Sequence, residues 1–379
     1  MRSSRFIPRV VTSLALGFEL SCMFGCGGFS NGGTTAKNTY AYVLEENRTT
    51  EGMSIAQFQV ASDGTFTALN PASVASQAYS SYPIVNPSGQ YFFVNGSQNP
   101  LLPGTILPFA IGTDGTLSAN AGDSITTGSG AGMIAFTPNG QFAVVPNVGD
   151  NTLSSYAVGS TGSLHLVNTV LAGFGPGSVA IDSSGRFAYV TASGGDGEFT
   201  LTEYVIASDG ILTPAVTYPL WSSPGALVVS PQGFLYLNEY MLPYNSSPGS
   251  IIQFSVNESN GNLNVAKIYA TADSDPSGVI FNPAGTYAYV GNGSGTISQF
   301  TVDQSSGILT ANGTLPSGYA ETMDPSGNYI YTAVWGLNNT WAPQVVRYAI
   351  NSDGTLSADG TSTMLDTNAS PLSLVIAQH

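Results

Sequence analysis

Three carboxylates and one guanidinium are the groups in this chain best suited to chemistry: Glu45, Glu239, Glu321 and Arg48. A carboxylate held away from bulk water can take a proton from an attacking water, while a cation or backbone N–H groups hold the oxyanion that develops. Such a set hydrolyses an activated ester without a covalent nucleophile. A Ser-His-Asp arrangement is not credible, because the only histidines are His165, expected on the opposite rim, and His379, expected to fray at the C-terminus. Cys22 and Cys26 both precede the body of the chain, which therefore has no disulfide, no thiol chemistry and no His/Cys metal site. The acidic stretches GGDGE (194–198) and DSD (273–275) lack the spacing of a calcium loop, and turn chemistry accounts for both. No cofactor is expected. The plainer reading of each carboxylate is a solvated loop residue, and both readings stand on the sequence alone.

What must position these groups is a repeat. One phrase recurs seven times: an aromatic, a spacer, Val or Ile, a short gap, Gly, a spacer, then Leu or Phe. FQVASDGTF (58–66) and YAINSDGTL (348–356) are its first and last copies. Its glycines are Gly64, Gly115, Gly162, Gly210, Gly261, Gly307 and Gly354, spaced by 46 to 51 residues. A second phrase lies upstream of all copies but the first, as in PIVNPSGQYFFV (83–94) and VIFNPAGTYAYV (279–290). Pro early in the turn and Gly two residues on suit a compact hairpin between two strands.

Each unit then supplies four antiparallel strands, a to d. A lone four-stranded sheet leaves two apolar faces bare, so the units must stack around an axis. The first unit begins at NTYAYVLEEN (38–47) without a strand a, and SPLSLVIAQH (370–379) reads as a strand a with nothing after it. The expected fold is therefore all-β: a seven-bladed β-propeller, closed by the C-terminal strand completing blade one. Closure also removes the exposed sheet edges that make all-β proteins aggregate. Strand order puts Glu45, Arg48 and Glu239 at b–c connections and Glu321 at a d–a connection, all on one face. Trp221, Trp335 and Trp341 fall at loop or strand-end positions, where interblade packing is the expected role and stacking on sugar rings the alternative.

The formal net charge is −15, through scarcity of Lys and Arg more than through acidic runs. Beyond residue 25 only Lys37, Arg48, Arg186, Lys267 and Arg347 face 22 acids, a net of −17. Five scattered cations cannot neutralise a phosphate backbone, so nucleic acid is excluded as a partner. The N-terminus reads as a leader: Arg2, Arg5 and Arg9, a short apolar stretch, then small residues before a cysteine. It resembles a bacterial lipoprotein leader. That resemblance implies a signal peptide at 1–25, a lipid on Cys26 (with Cys22 the alternative), a flexible tether at 26–37 and the propeller at 38–379. The protein is then exported to the cell envelope, periplasmic or outer-membrane, and touches the membrane only through its lipid. It is expected to be a monomer.

The body also resembles the YVTN-type and 6-phosphogluconolactonase-like (lactonase) families of seven-bladed propellers. AYVTA (188–192), YLNEY (236–240), AYVGN (288–292) and the seven glycine turns carry the resemblance. Lactonase-like members often have Gly-x-Gly-Pro-Arg-His before a strand a. Here the stretch is GFGPGS (173–178), with Gly177 and Ser178 in the Arg and His places. Glu239 matches the family's Asn-Glu after strand b, and that position makes it the first choice for the base. The resemblance implies a lactone-ring hydrolase, and the missing basic pair argues against a phosphorylated substrate, because phosphate wants Arg or Lys. The alternative is a non-catalytic propeller that binds a small molecule, a glycan or an envelope protein at its loop face.

Overall fold

The computed structural model describes residues 37–47, 52–76, 80–96, 101–119, 123–195, 197–240, 249–270, 275–316, 321–335 and 342–379. Their strands form seven antiparallel sheets, one per repeat. Blade 1 runs Ala369–Gln378, Thr39–Asn47, Met53–Val60, Phe66–Ala75 from strand a to strand d, so the C-terminal strand completes it as the sequence implies. Blade 2 departs slightly: two short strands, Leu117–Ala119 and Ile125–Ser129, share the outer position beside Pro103–Ile111. No helix long and apolar enough to cross a membrane occurs among the described residues.

Burial follows strand position. Strand b is covered on both faces, as in Tyr91–Gly96, because neighbouring blades press on each side; strand d, as in Leu164–Leu171, is largely exposed at the circumference. The core is accordingly seven interblade layers. The layer between blades 1 and 2 packs Tyr42 and Ile55 against Phe92 and Phe109, and the layer between blades 7 and 1 packs Tyr331 and Val345 against Val43 and Phe58.

The repeated phrases meet across these seams. The turn glycines all have positive φ, between 69° and 84°. Each also lies against the first strand-b aromatic of the preceding blade: Tyr40 on Gly115, Phe187 on Gly261, Tyr287 on Gly354, Tyr329 on Gly64. In these blades the tyrosine two residues on donates to the same glycine's carbonyl. Tyr42 Oη lies 2.8 Å from Gly115 O, Tyr189 Oη 2.7 Å from Gly261 O, Tyr289 Oη 2.8 Å from Gly354 O and Tyr331 Oη 3.2 Å from Gly64 O. Strand-c glutamines add a further tie, since Gln57 Oε1 and Gln299 Oε1 accept the N–H of Leu117 and Leu356 from the next blade at 2.5 and 2.7 Å. So the two phrases recur together because one is the receptor for the other.

One expectation fails at the C-terminus. His379 is not frayed: it exchanges two backbone hydrogen bonds with Asn38, at 3.0 and 3.1 Å, and its ring contacts Gly89 O in blade 2 at 3.2 Å. Pairing of the closing strand with Thr39–Asn47 runs to the last residues and holds them.

Candidate functional site

All a–b and c–d turns lie on one rim, and the b–c and d–a connections form the opposite face. Strand b delivers polar side chains to that face. Glu45, Asn147 and Glu239 occupy one register, opposite Ser54, Thr152 and Ser250 at the start of strand c. Asn147 uses its Nδ2 on Thr152 Oγ1 and Ser154 Oγ at 3.0 and 2.9 Å, and Asn292 does the same with Thr296 and Ser298. Asn95 and Asn238, one step earlier, donate to backbone carbonyls of the next blade, Ala131 O and Pro276 O. Asn147 and Asn292 thus tie strand b to strand c within a blade, and Asn95 and Asn238 are seam fasteners. Ser178, in the family's histidine place, is another: its Oγ accepts Leu227 N from blade 5 at 3.0 Å.

The three carboxylates do not converge on one point. Glu321 sits between blades 7 and 1, wholly buried, accepting Ala333 N at 2.8 Å and Leu374 N from the closing strand. Burial pushes its carboxyl up to about 8, although both amides pull the other way. Glu239, in blade 5, is buried beside Ser250, whose Oγ donates to Oε2 at 3.4 Å. Burial lifts it above the usual carboxylate range, and the neighbouring hydroxyls of Ser222 and Ser250 partly offset this. Glu45 is different. It lines a cleft of about 500 Å³ that opens on the loop face between blades 7 and 1. Glu45 is 4% exposed, and its Oε1, like that of Glu239, has no hydrogen-bond partner. Burial, with a smaller contribution from the Asp366 charge across the cleft, raises its carboxyl to about 7.

Arg48, together with Asp196, Asp273 and Trp341, lies outside the described residues. His165 is exposed on the turn rim, its ring 3.2 Å from Ser163 Oγ, as expected. Trp221 is not interblade packing: it is 96% exposed on the loop face. No cluster of three or more His, Cys, Asp or Glu able to hold a metal ion occurs among the described residues. Asp366 was missed by sequence reading. It precedes the closing strand in a Thr/Asn/Ser-rich connection, and only the seam between first and last blades brings it to Glu45.

The comparisons agree with this architecture. The profile of the lactonase, 7-bladed β-propeller family matches residues 34–325. No curated protein gives a significant match. Among solved structures, a candidate 6-phosphogluconolactonase from Bacteroides uniformis superposes with a TM-score of 0.72 at 18% identity, covering 90% of this chain and 99% of that one. Its counterpart from Bacteroides fragilis gives 0.68 at 18% identity, covering 92% and 100%. The periplasmic gluconolactonase PpgL of Pseudomonas aeruginosa gives 0.59 at 19% identity, covering 74% and 83%. At such identities these likenesses speak for the fold, and the profile match over most of the chain speaks for ancestry. The chain belongs to the lactonase family of seven-bladed β-propellers.

Proposed function

We propose that this protein is an exported, lipid-anchored hydrolase of lactone rings, with Glu45 as its general base. One observation carries the assignment: of the three candidate carboxylates, Glu45 alone lines a described cleft with room for a small substrate, and burial raises its carboxyl to about 7. Ionised Glu45 takes a proton from water, the hydroxide attacks the ring carbonyl carbon, and the ring C–O bond breaks. The ring oxygen recovers the proton and leaves as the hydroxyl of a hydroxy acid. Arg48, three positions further along the same connection, is the candidate for holding the oxyanion. Membership of the lactonase family supports the reaction class. Glu321 is already engaged by two backbone amides, and Glu239 is the second choice for the base.

The substrate is uncharged or weakly charged. Arg186 and Arg347 are spent on the turn rim, donating to Glu258 O and Asp63 O, and Lys267 lies over the Tyr269 ring. None of these can meet a phosphate at the loop face. The purified mature chain is expected to open neutral lactones such as glucono-δ-lactone faster than 6-phosphogluconolactone, with neither histidine required. Glu45→Gln should lower kcat by roughly 10²–10⁴-fold with folding intact. Efficient hydrolysis of the phosphorylated lactone, or an unchanged kcat in Glu45→Gln, overturns the assignment. For the anchor, Cys26→Ser should release the protein from the membrane fraction and Cys22→Ser should not. A mature N-terminus that mass spectrometry finds lipidated at Cys22, or cleaved and unmodified, refutes it.

The binding-propeller reading has its own support. Leu171, Phe174 and Trp221 are exposed on the loop face of blades 3 and 4, and Phe174 lies against Gly195 in the same region. If no lactone is turned over, this surface is where a glycan or envelope protein would dock.

A further inference from the structure

We infer that Glu203 is held as a neutral carboxylic acid, and that its proton latches the seam between blades 4 and 5, which loosens when that proton leaves. The inference is independent of the hydrolase reading. Glu203 stands just before Tyr204 in Phe199–Ile206, strand c of blade 4. Strand c of blade 5 has Gln253 before Phe254 at that place, and strand c of blade 6 has Gln299 before Phe300. All three side chains are buried, and Glu203 is 0% exposed.

The seams on the two sides of blade 5 are built alike. Between blades 5 and 6, Gln253 Oε1 accepts from Tyr269 Oη at 2.6 Å, and that phenol oxygen accepts Leu309 N at 3.1 Å. Between blades 4 and 5, Tyr218 Oη lies 3.5 Å from Glu203 Oε2 and accepts Leu263 N at 2.9 Å. The other atom of each head group meets the glycine of the facing turn. A Cβ at Gly307 would fall 2.7 Å from Gln253 Nε2, and one at Gly261 would fall 2.5 Å from Glu203 Oε1. There the match ends. Gln253 Nε2 donates to Ser306 O at 2.7 Å, whereas Glu203 Oε1 is buried without a hydrogen-bond partner. The carbonyl equivalent to Ser306 O, just before Gly261, is Asn260 O. A carboxylate oxygen only accepts, so it cannot pair with a carbonyl. A protonated Oε1 supplies the donor that the amide supplies one blade on, and the acid then reproduces the glutamine. Ionised, the group places a buried charge against an acceptor.

The surroundings favour the acid. Burial raises the Glu203 carboxyl from its ordinary 4.5, and the Tyr218 hydroxyl offsets only part of this. Tyr189 and Tyr218 flank it within blade 4, and burial raises both phenols as well. Asp182, at the a–b turn of the same blade, adds a negative charge that reaches Tyr189. Across the seam stands Glu258, whose backbone carbonyl takes the Arg186 guanidinium, which also lies over the Phe187 ring. Glu321 is the opposite case, because its carboxylate accepts two backbone N–H groups and keeps them when ionised. Glu203 meets a phenol and a glycine turn instead. Its hold on the seam is therefore complete below pH 4.5 and is lost as pH rises through its raised value.

The direct measurement is the carboxyl carbon resonance of Glu203 in the intact mature protein, assigned by its disappearance in Glu203→Gln. Its titration midpoint should lie above the ordinary 4.5, and a midpoint at or below that value overturns the inference. The second measurement is hydrogen exchange of the Leu263 amide, corrected for the intrinsic dependence of exchange on pH. Above the Glu203 midpoint its protection should fall more steeply than that of Leu309, the matching amide at the glutamine-built seam. The excess should approach tenfold per pH unit, as fits loss of one proton. Glu203→Gln should abolish the excess and keep protection at its low-pH level. Equal slopes at both amides in the native protein, or an excess that survives in Glu203→Gln, overturn the latch. Glu203→Ala removes donor and charge together and should lower Leu263 protection at acid pH, where the native latch is closed. Native protection in Glu203→Ala at that pH would show that the side chain takes no part in the seam.

Discussion

The turn rim repeats itself from blade to blade, and the loop face opposite does not. On the rim, an aromatic, a tyrosine hydroxyl and a positive-φ glycine meet across seam after seam with the same geometry. On the loop face, the positions equivalent to Glu45 hold Asn147 in blade 3 and Glu239 in blade 5, and each has different neighbours. The acids differ as well. The aspartates of the c–d turns sit in solvent, and hydroxyls and amides of Thr or Ser two or three residues on hold Asp63, Asp114, Asp303 and Asp353 below the usual carboxylate range. The loop-face glutamates are buried and held above it. A rim that every blade must build stays regular because each seam stabilises the ring in the same way. A face free of that duty can accumulate the buried charges that chemistry needs.

The largest effect should come from breaking the one seam whose strand comes from the far end of the chain. Deleting residues 370–379 removes the inner strand of blade 1, leaves Thr39–Asn47 with an open edge, and takes the Leu374 donor from the buried Glu321 carboxylate. Cooperative thermal unfolding should be lost or replaced by aggregation, as circular dichroism with light scattering would show. An unchanged melting transition would mean that the ring closes some other way.

A finer contrast lies within the turns themselves. Gly354 and Gly140 both have positive φ, at 82° and 69°. A Cβ at Gly354 would fall within the Tyr287 ring of the preceding blade, whereas at Gly140 its nearest neighbour would be Pro87 Cδ at 3.8 Å. Gly354→Ala should therefore cost about 3 kcal/mol or more, through strain plus overpacking. Gly140→Ala should cost about 1 kcal/mol, through φ alone. Equal losses in urea denaturation would show that the c–d turn glycines serve their own turn and not the seam.

Most of the fold was legible in the sequence because its rules are local and repeated. Gly-x-Leu turns recur at blade spacing, and the missing strand a of the first unit matches the surplus one at 370–379. The extent of the closing strand was less so. Nothing in AQH suggests pairing, and it is the partner Asn38, at the other end of the body, that holds His379. The site was only half legible. Position after strand b identified Glu45 and Glu239 as loop-face residues. Which of them meets a cleft depends on Asp366 and Met364, more than 300 residues away from Glu45 along the chain. Ser178 shows the converse: it stands where the family often has histidine, and the structure gives it a backbone amide of the next blade.

The smallest expected effect separates rim from loop face by pH. Glu321, raised to about 8, and Glu45, raised to about 7, both start from an ordinary value of 4.5, so the folded protein holds extra protons between these limits. Their contribution to stability is fully present below pH 4.5 and is lost as pH rises through 7 and 8. The rim aspartates act in the opposite sense. Their depressed carboxyls contribute stability above the ordinary value of 3.8 that disappears as pH falls, towards about 2 for Asp303. Urea midpoints should thus peak near pH 4–5 and decline on both sides, with the acid limb belonging to the c–d turn aspartates and the alkaline limb to the buried glutamates. Self-repulsion at a net charge of −17 also grows with pH, so the informative quantity is the change in slope on substitution. Glu321→Gln cannot ionise, and it should flatten the decline between pH 5 and 8 by up to about 1.4 kcal/mol per pH unit. The acid limb should be untouched, because no rim aspartate contacts Glu321. If Glu321→Gln instead lowers stability equally at pH 5 and pH 8, the carboxylate is ionised throughout, and the contrast between the two rims is one of geometry and not of charge.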